Sequence, residues 1–236
     1  MYRVCLLRGP DPTGLQTWIE QLETGKKSGA EIAYQFYNSI EMRNRGLSDG
    51  DFVERCYEGM MGRSSDAGGK LNWVQKLEGG MSRKAIISGF ARSGEYGEIC
   101  SHYGIRQGEY NSDEARDRNN GVTGFVSRLY TKMLGREYDT EGLNHWCARI
   151  LDNPTKDNVL TVALNGFMLS REFTEKNLSD MEFVKVLYRT FLGREFDEGG
   201  LTHWVGKLAS GMSRVQVASG FAHSAEFSGI MASYGL

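Results

Sequence analysis

The chemically capable residues of this chain recur in one pattern. Its four tryptophans each close the spacing Y-x(5)-R-x-x-D-x-x-G-x-x-x-W, at Tyr2–Trp18, Tyr57–Trp73, Tyr130–Trp146 and Tyr188–Trp204. The position before the indole holds a polar side chain each time: Thr17, Asn72, His145 and His203. Such a set has two uses. An Arg and an Asp three residues apart can brace a turn as an ion pair, or can present a donor and an acceptor to sugar hydroxyls. An indole among apolar neighbours can belong to a core, or can offer its face to the C–H face of a sugar ring. On the second use the ligand-binding residues are Arg63, Asp66, Asn72 and Trp73 in the second unit, with Arg194, Asp197, His203 and Trp204 in the fourth.

No pattern names a reaction. There is no G-x-S-x-G elbow, no H-E-x-x-H pair and no phosphate loop, since Gly69-Lys70 lacks the earlier glycine. The carboxylates of a glycosidase, roughly 5–9.5 Å apart, are paired by tertiary structure. Each repeated Asp or Glu here also fits a helix N-terminus, so the expectation is a non-catalytic protein. Cys5, Cys56, Cys100 and Cys147 have no metal spacing and no equivalents among the units. They read as small core residues, with disulfide pairing left open for an exported chain. Neither a metal nor a cofactor is implied, and D-x-x-G alone is too sparse for a calcium site.

The elements that position these residues follow from an internal repeat. Residues 47–105 align with 178–236 without a gap at an offset of 131, with 28 of 59 positions identical. A second pair of units aligns at an offset of 128, and every unit continues to an F-x-x-S-x-E box, at Phe36, Phe90, Phe167 and Phe221. Apolar residues at Phe52-Val53, Cys56-Tyr57 and Met60 keep the period of a buried helical face, with counterparts at Phe125–Leu134 and Phe183–Leu192. Gly62, Gly135 and Gly193 suit left-handed C-terminal caps. Asp11, Asp66, Asp139 and Asp197 suit N-caps of a second helix, Ser28, Ser82 and Ser213 of a third, and the Ser of the box of a fourth. Ser179-x-x-Glu182 reads as a capping box. Period-two alternation is absent, and short helices parted by glycine turns absorb most of the 30 glycines. The fold is predicted to be all-α: tandem units of about four short helices, arranged as two duplicated pairs. Units one and two occupy 1–105, a polar linker 106–123, and units three and four 124–236. Unit one lacks the start of its first helix, which suggests a piece of a longer protein.

The net charge of −2 and a pI near 6.1, without a basic run, argue against a nucleic-acid partner. Apolar runs are far too short for the roughly 20 residues of a membrane span.

The combination Y-x-x-x-L-G-R-E-x-D-x-x-G-L-x-x-W at Tyr130–Trp146 and Tyr188–Trp204, with G-M-S-R and G-F-A-x-S-x-E-F at Gly211–Phe227, resembles the bacterial repeat family of the domain of unknown function 4214. The resemblance covers four units. Unit one departs most, with Leu7 in place of the glycine before Arg8 and Gly9-Pro10 in place of Glu-aromatic. What it implies is an α-helical module similar in pattern to phycobilisome linker domains, found in secreted and surface proteins and beside carbohydrate-active domains. The expected function is therefore a multivalent, lectin-like module on the bacterial surface or secreted, with a glycan or surface polysaccharide as partner beside other domains of a longer chain. The alternative expectation is a protein scaffold or spacer with no small ligand.

Overall fold

Every helix of the protein but the first, which follows Met1, begins where a short oxygen-bearing side chain accepts one of the first free backbone N–H groups. The computed structural model describes all 236 residues as sixteen α-helices and no strand. They fall in four sets of four. The first unit holds α1 (Tyr2–Cys5), α2 (Pro12–Glu23), α3 (Gly29–Tyr37) and α4 (Ile40–Arg43); the second holds α5 (Asp49–Cys56), α6 (Ala67–Glu78), α7 (Arg83–Ala91) and α8 (Gly94–His102). The third comprises α9 (Asn120–Arg128), α10 (Thr140–Leu151), α11 (Lys156–Ala163) and α12 (Arg171–Thr174). The fourth comprises α13 (Asp180–Leu187), α14 (Glu198–Ala209), α15 (Arg214–Ala222) and α16 (Ala225–Ser233). The motif aspartates cap the second helix of every unit, Oδ1 accepting from Gly14, Gly69, Gly142 and Gly200 at 2.7–2.8 Å. Ser39, Ser93, Ser170 and Ser224 cap the fourth. Ser179 is half of the predicted box: its hydroxyl accepts from Glu182 N–H, but the Glu182 carboxylate turns to Lys185 instead.

One feature was not predicted. The first helix of units two, three and four widens into a π-helical turn, at Tyr57–Met61, Leu129–Leu134 and Tyr188–Leu192, before the left-handed glycine. That turn carries the motif tyrosine. Leu7 occupies the same left-handed conformation in unit one, at φ 55°, where a Cβ is strained.

Two compact halves, residues 1–113 and 114–236, each have their own core. Within every unit a buried phenylalanine of the third helix, or in unit three of the π-helical turn Leu164–Met168 that continues it, is gripped by two other rings. Tyr2, Tyr57, Tyr130 and Tyr188 meet Phe36, Phe90, Phe167 and Phe221 edge-on at 4.8–5.0 Å between centroids. Trp18, Trp73, Trp146 and Trp204 lean on the same phenylalanines at 5.2–5.6 Å. Two glycines make room. A Cβ on Gly69, Gly142 or Gly200 would overlap the tyrosine hydroxyl, and one on Gly89, Gly166 or Gly220 would overlap the six-membered ring of the tryptophan.

The stretch 106–123, read from its polarity as a linker, is divided between the halves and held. The Arg106 and Gln107 carbonyls accept from the first two N–H groups of α3, at Gly29 and Ala30. Tyr110 stacks on Tyr34 at 3.7 Å. Beyond it, Ala115–Asp117 forms a 3₁₀ turn, Arg116 N–H donates to Asn144 Oδ1, and α9 starts at Asn120 with Asn119 as cap.

Gly220→Ala is expected to cost about 1–3 kcal/mol through overpacking against Trp204. Gly206→Ala, on an open face of α14, is expected to be neutral or slightly stabilising. Urea unfolding of the two variants checks the contrast.

Candidate functional site

The first and second helices of a unit are joined by a turn that places the arginine. Just after the left-handed residue, Arg63 folds back over the ring of Tyr57 at 5.0 Å and Arg194 over Tyr188 at 5.1 Å; Arg8 and Arg136 do the same over Tyr2 and Tyr130. Its principal partner is not the aspartate. Arg63 Nε and Nη2 donate to the two oxygens of Glu95 at 2.5 and 2.8 Å, and Arg194 grips Glu226 identically. Arg8 holds Glu41 with two bonds at 2.9 Å, and Arg136 reaches Glu172 at 2.6 Å. A third nitrogen donates to a carbonyl of the turn, Ser64 at 3.1 Å or Glu195 at 2.9 Å. Asp66 and Asp197 stand 4.0 and 3.6 Å from the same guanidinium groups while capping their helices. The arginine thus clamps the turn to the first turn of the fourth helix.

Sequence reasoning missed this pairing. The glutamate of the box was assigned only to the helix dipole, although Arg and Glu are 32 residues apart in both close copies. The bidentate bond holds Glu95 and Glu226 below the usual carboxylate range and Arg63 and Arg194 above the usual arginine value. Asp197 is lowered first by the Gly200 N–H that it accepts. Burial raises the Tyr57 and Tyr188 phenols.

The other predicted residues lie on the surface. Asn72 and His203 are exposed on α6 and α14, and His203 meets the indole it precedes at 5.2 Å, nearly perpendicular. Trp73 and Trp204 are half-buried: one edge sits in the glycine notch, the ring leans on the buried phenylalanine, and a part of the side chain stays exposed. Lys76 places its ammonium 4.2 Å from the Trp73 ring. In unit one the corresponding side chains Tyr2, Arg8, Trp18 and Glu41 line a depression of about 210 Å³, with Gln35 where the other units have the notch glycine. Arginine, carboxylate and indole of one unit therefore border a common surface. Arg194 also borders a larger depression on its other side.

The four cysteines are buried and unpaired, and burial pushes the Cys147 thiol up to about 11. No three metal-ligating side chains converge, and no helix is long and apolar enough to cross a membrane.

The family described as "Domain of unknown function (DUF4214)" matches the chain four times, over residues 1–46, 33–100, 107–175 and 163–231. The third match takes in the stretch before α9. No curated protein and no solved structure matches the chain.

Glu54 offers a pH test of the turn beside the clamp. Hydrogen bonds from the Ser65 hydroxyl and N–H, then from Lys70, lower its carboxyl to about 2. An unfolded glutamate titrates near its ordinary value, so this stabilisation is complete above about pH 5 and disappears as pH falls toward 2. Glu54→Gln is expected to be less stable than wild type at pH 7, with the gap closing as pH is lowered to 3. Denaturant midpoints across that range measure it.

Proposed function

The chain belongs to the family of the domain of unknown function 4214, and on that premise we propose that it is a non-catalytic carbohydrate-binding module of a secreted or surface protein. The observation that carries this reading is the partly exposed indole preceded by an exposed polar side chain, present in all four units. A sugar ring has an apolar C–H face and hydroxyls at its rim, so it matches a ring flanked by donors and acceptors. In units two and four the contacts are Trp73 with Asn72 and Trp204 with His203. Arg63, Asp66, Arg194 and Asp197 border the site and hold its shape, since most of their hydrogen-bonding capacity is used within the clamp. Two or more weak sites on one polysaccharide would add avidity.

The non-catalytic part of the reading rests on the use of the repeated carboxylates within the unit: Asp66 and Asp197 cap their helices, and Glu95 and Glu226 hold the motif arginines.

A protein scaffold is the second reading, and one observation favours it. Between units three and four a groove of about 420 Å³ is lined mainly by apolar side chains, among them Met168, Leu169, Phe173, Phe183 and Val215. Leu169 and Val215 are exposed there.

A glycan array with and without Ca²⁺, followed by calorimetry of any hit, tests the choice. Binding at about two sites per chain is expected, with affinity reduced roughly tenfold by combined Asn72→Ala and His203→Ala substitution at an unchanged melting temperature, as for loss of charge-free hydrogen bonds at each site. Silence across neutral, acidic and host-type glycans would move the assignment to the scaffold.

A further inference from the structure

The two halves share their clamps but not their surroundings. Beside Arg194, in the second half, lies a depression of about 600 Å³ lined by Arg128, Thr131, Lys132, Arg189, Gly193, Arg194 and Glu195. Four cations face one carboxylate in that lining. The repeat shows how the charges differ: Lys132 corresponds to Val4, Thr131 to Arg3, Arg189 to Glu58 and Glu195 to Ser64, while Gly193 and Arg194 repeat Gly62 and Arg63, and Arg128 has no counterpart in the chain. In the first half Glu58 is engaged by Arg55.

The cations are held in place, but not all neutralised. Arg128 donates Nε to the Thr190 carbonyl at 3.0 Å and Nη2 to the Tyr234 hydroxyl at 3.5 Å, and has no carboxylate partner. Gly193, at φ 66°, leaves its Cα open toward that guanidinium; a Cβ there would come within 3.5 Å of it. Lys132 is exposed and acts on Glu195 only through its field. Arg189 is bidentate to Glu195, at 2.8–3.0 Å, and Arg194 to Glu226. Anchored guanidinium forks are suited to a planar or tetrahedral oxyanion, and a depression concentrates their field.

We infer that this depression binds an oxyanion carried by a sugar, a uronate carboxylate or a sulfate ester, and gives the second half a preference for acidic glycans. The inference rests on the carbohydrate reading above. Arg128 and Lys132 supply the free charge, and Arg189 shares its fork between Glu195 and the ligand. The first half, whose matching positions Arg3, Val4, Glu58 and Ser64 set one cation against one carboxylate, takes neutral sugar without this preference.

Calorimetric titration of the full chain tests it with four probes of matched length: oligogalacturonate, its methyl ester, a sulfated oligosaccharide and a neutral cello-oligosaccharide. Inorganic sulfate and anionic phospholipid vesicles serve as further arms. The variant Lys132→Val/Arg189→Glu restores the first-half residues, and Arg189→Gln is a milder version should the first fail to fold. The expected result is tighter binding of one or both acidic oligosaccharides than of the ester, weakening with salt and falling about tenfold or more in either variant. Which acidic oligosaccharide binds identifies the group, and the neutral probes should bind wild type and variants alike.

Equal affinity for oligogalacturonate, sulfated oligosaccharide and their neutral counterparts would overturn the inference and leave the carbohydrate reading standing. Failure of every sugar would overturn both. Sulfate alone binding as tightly as sulfated sugar would overturn the sugar assignment, as would variant-sensitive vesicle binding without sugar binding.

Discussion

Everything in each unit depends on one buried phenylalanine held between a tyrosine edge and a tryptophan face. The three rings come from three different helices, so their packing fixes how the first, second and third helices of a unit cross. Deleting a buried ring of this kind costs about 3–5 kcal/mol, against which single surface ion pairs are small. Ring packing at 4.8–5.6 Å also explains the glycines. Gly200 and Gly220 are needed because Tyr188 and Trp204 occupy the space of a side chain. Once the rings are seated, the motif arginine lies over the tyrosine and finds the glutamate of the fourth helix. The clamp is thus a consequence of the ring packing, and it closes the unit.

The parts of this arrangement that are local in sequence were legible in it. Asp66 and Ser93 announce helix starts because a cap needs only a short acceptor and the next turn of backbone. Gly62 and Gly193 announce helix ends for a similarly local reason. The repeat made the unit boundaries visible, and four identical spacings marked Arg63, Asp66 and Trp73 as one group. What was not legible is tertiary. The Arg63–Glu95 bond spans 32 residues, and only its equal spacing in Arg194–Glu226 hinted at it. The notch at Gly89 depends on which ring lands there. The contacts of the polar stretch after Ile105 with α3, made by carbonyls at Arg106 and Gln107 and by the ring of Tyr110, join residues far apart in sequence and leave no local signal.

Repetition also separates the roles of the residues. Tyrosine, arginine, aspartate, the capped glycine, phenylalanine and glutamate are spent within the unit, so their recurrence reflects one packing solution used four times, with the notch glycine joining it in units two, three and four. The tryptophan does two things at once, packing on the phenylalanine while a part of its side chain stays exposed. Residues that vary between units give each its own surface: Asn72 against His203 before the indole, and, away from it, Glu58 against Arg189 and Val4 against Lys132. A duplicated scaffold with altered rims can hold related ligands of different charge without a change in its core.

The most direct measurement of the claim that these indoles face a ligand as well as a core is a ¹H–¹⁵N NMR titration following their Nε1–H signals, one per unit. With oligogalacturonate, the Trp204 signal is expected to move at the lowest concentration and that of Trp73 to follow. Four stationary indole signals at concentrations where calorimetry shows the sugar bound would contradict the account, because the tryptophans would then serve the core alone.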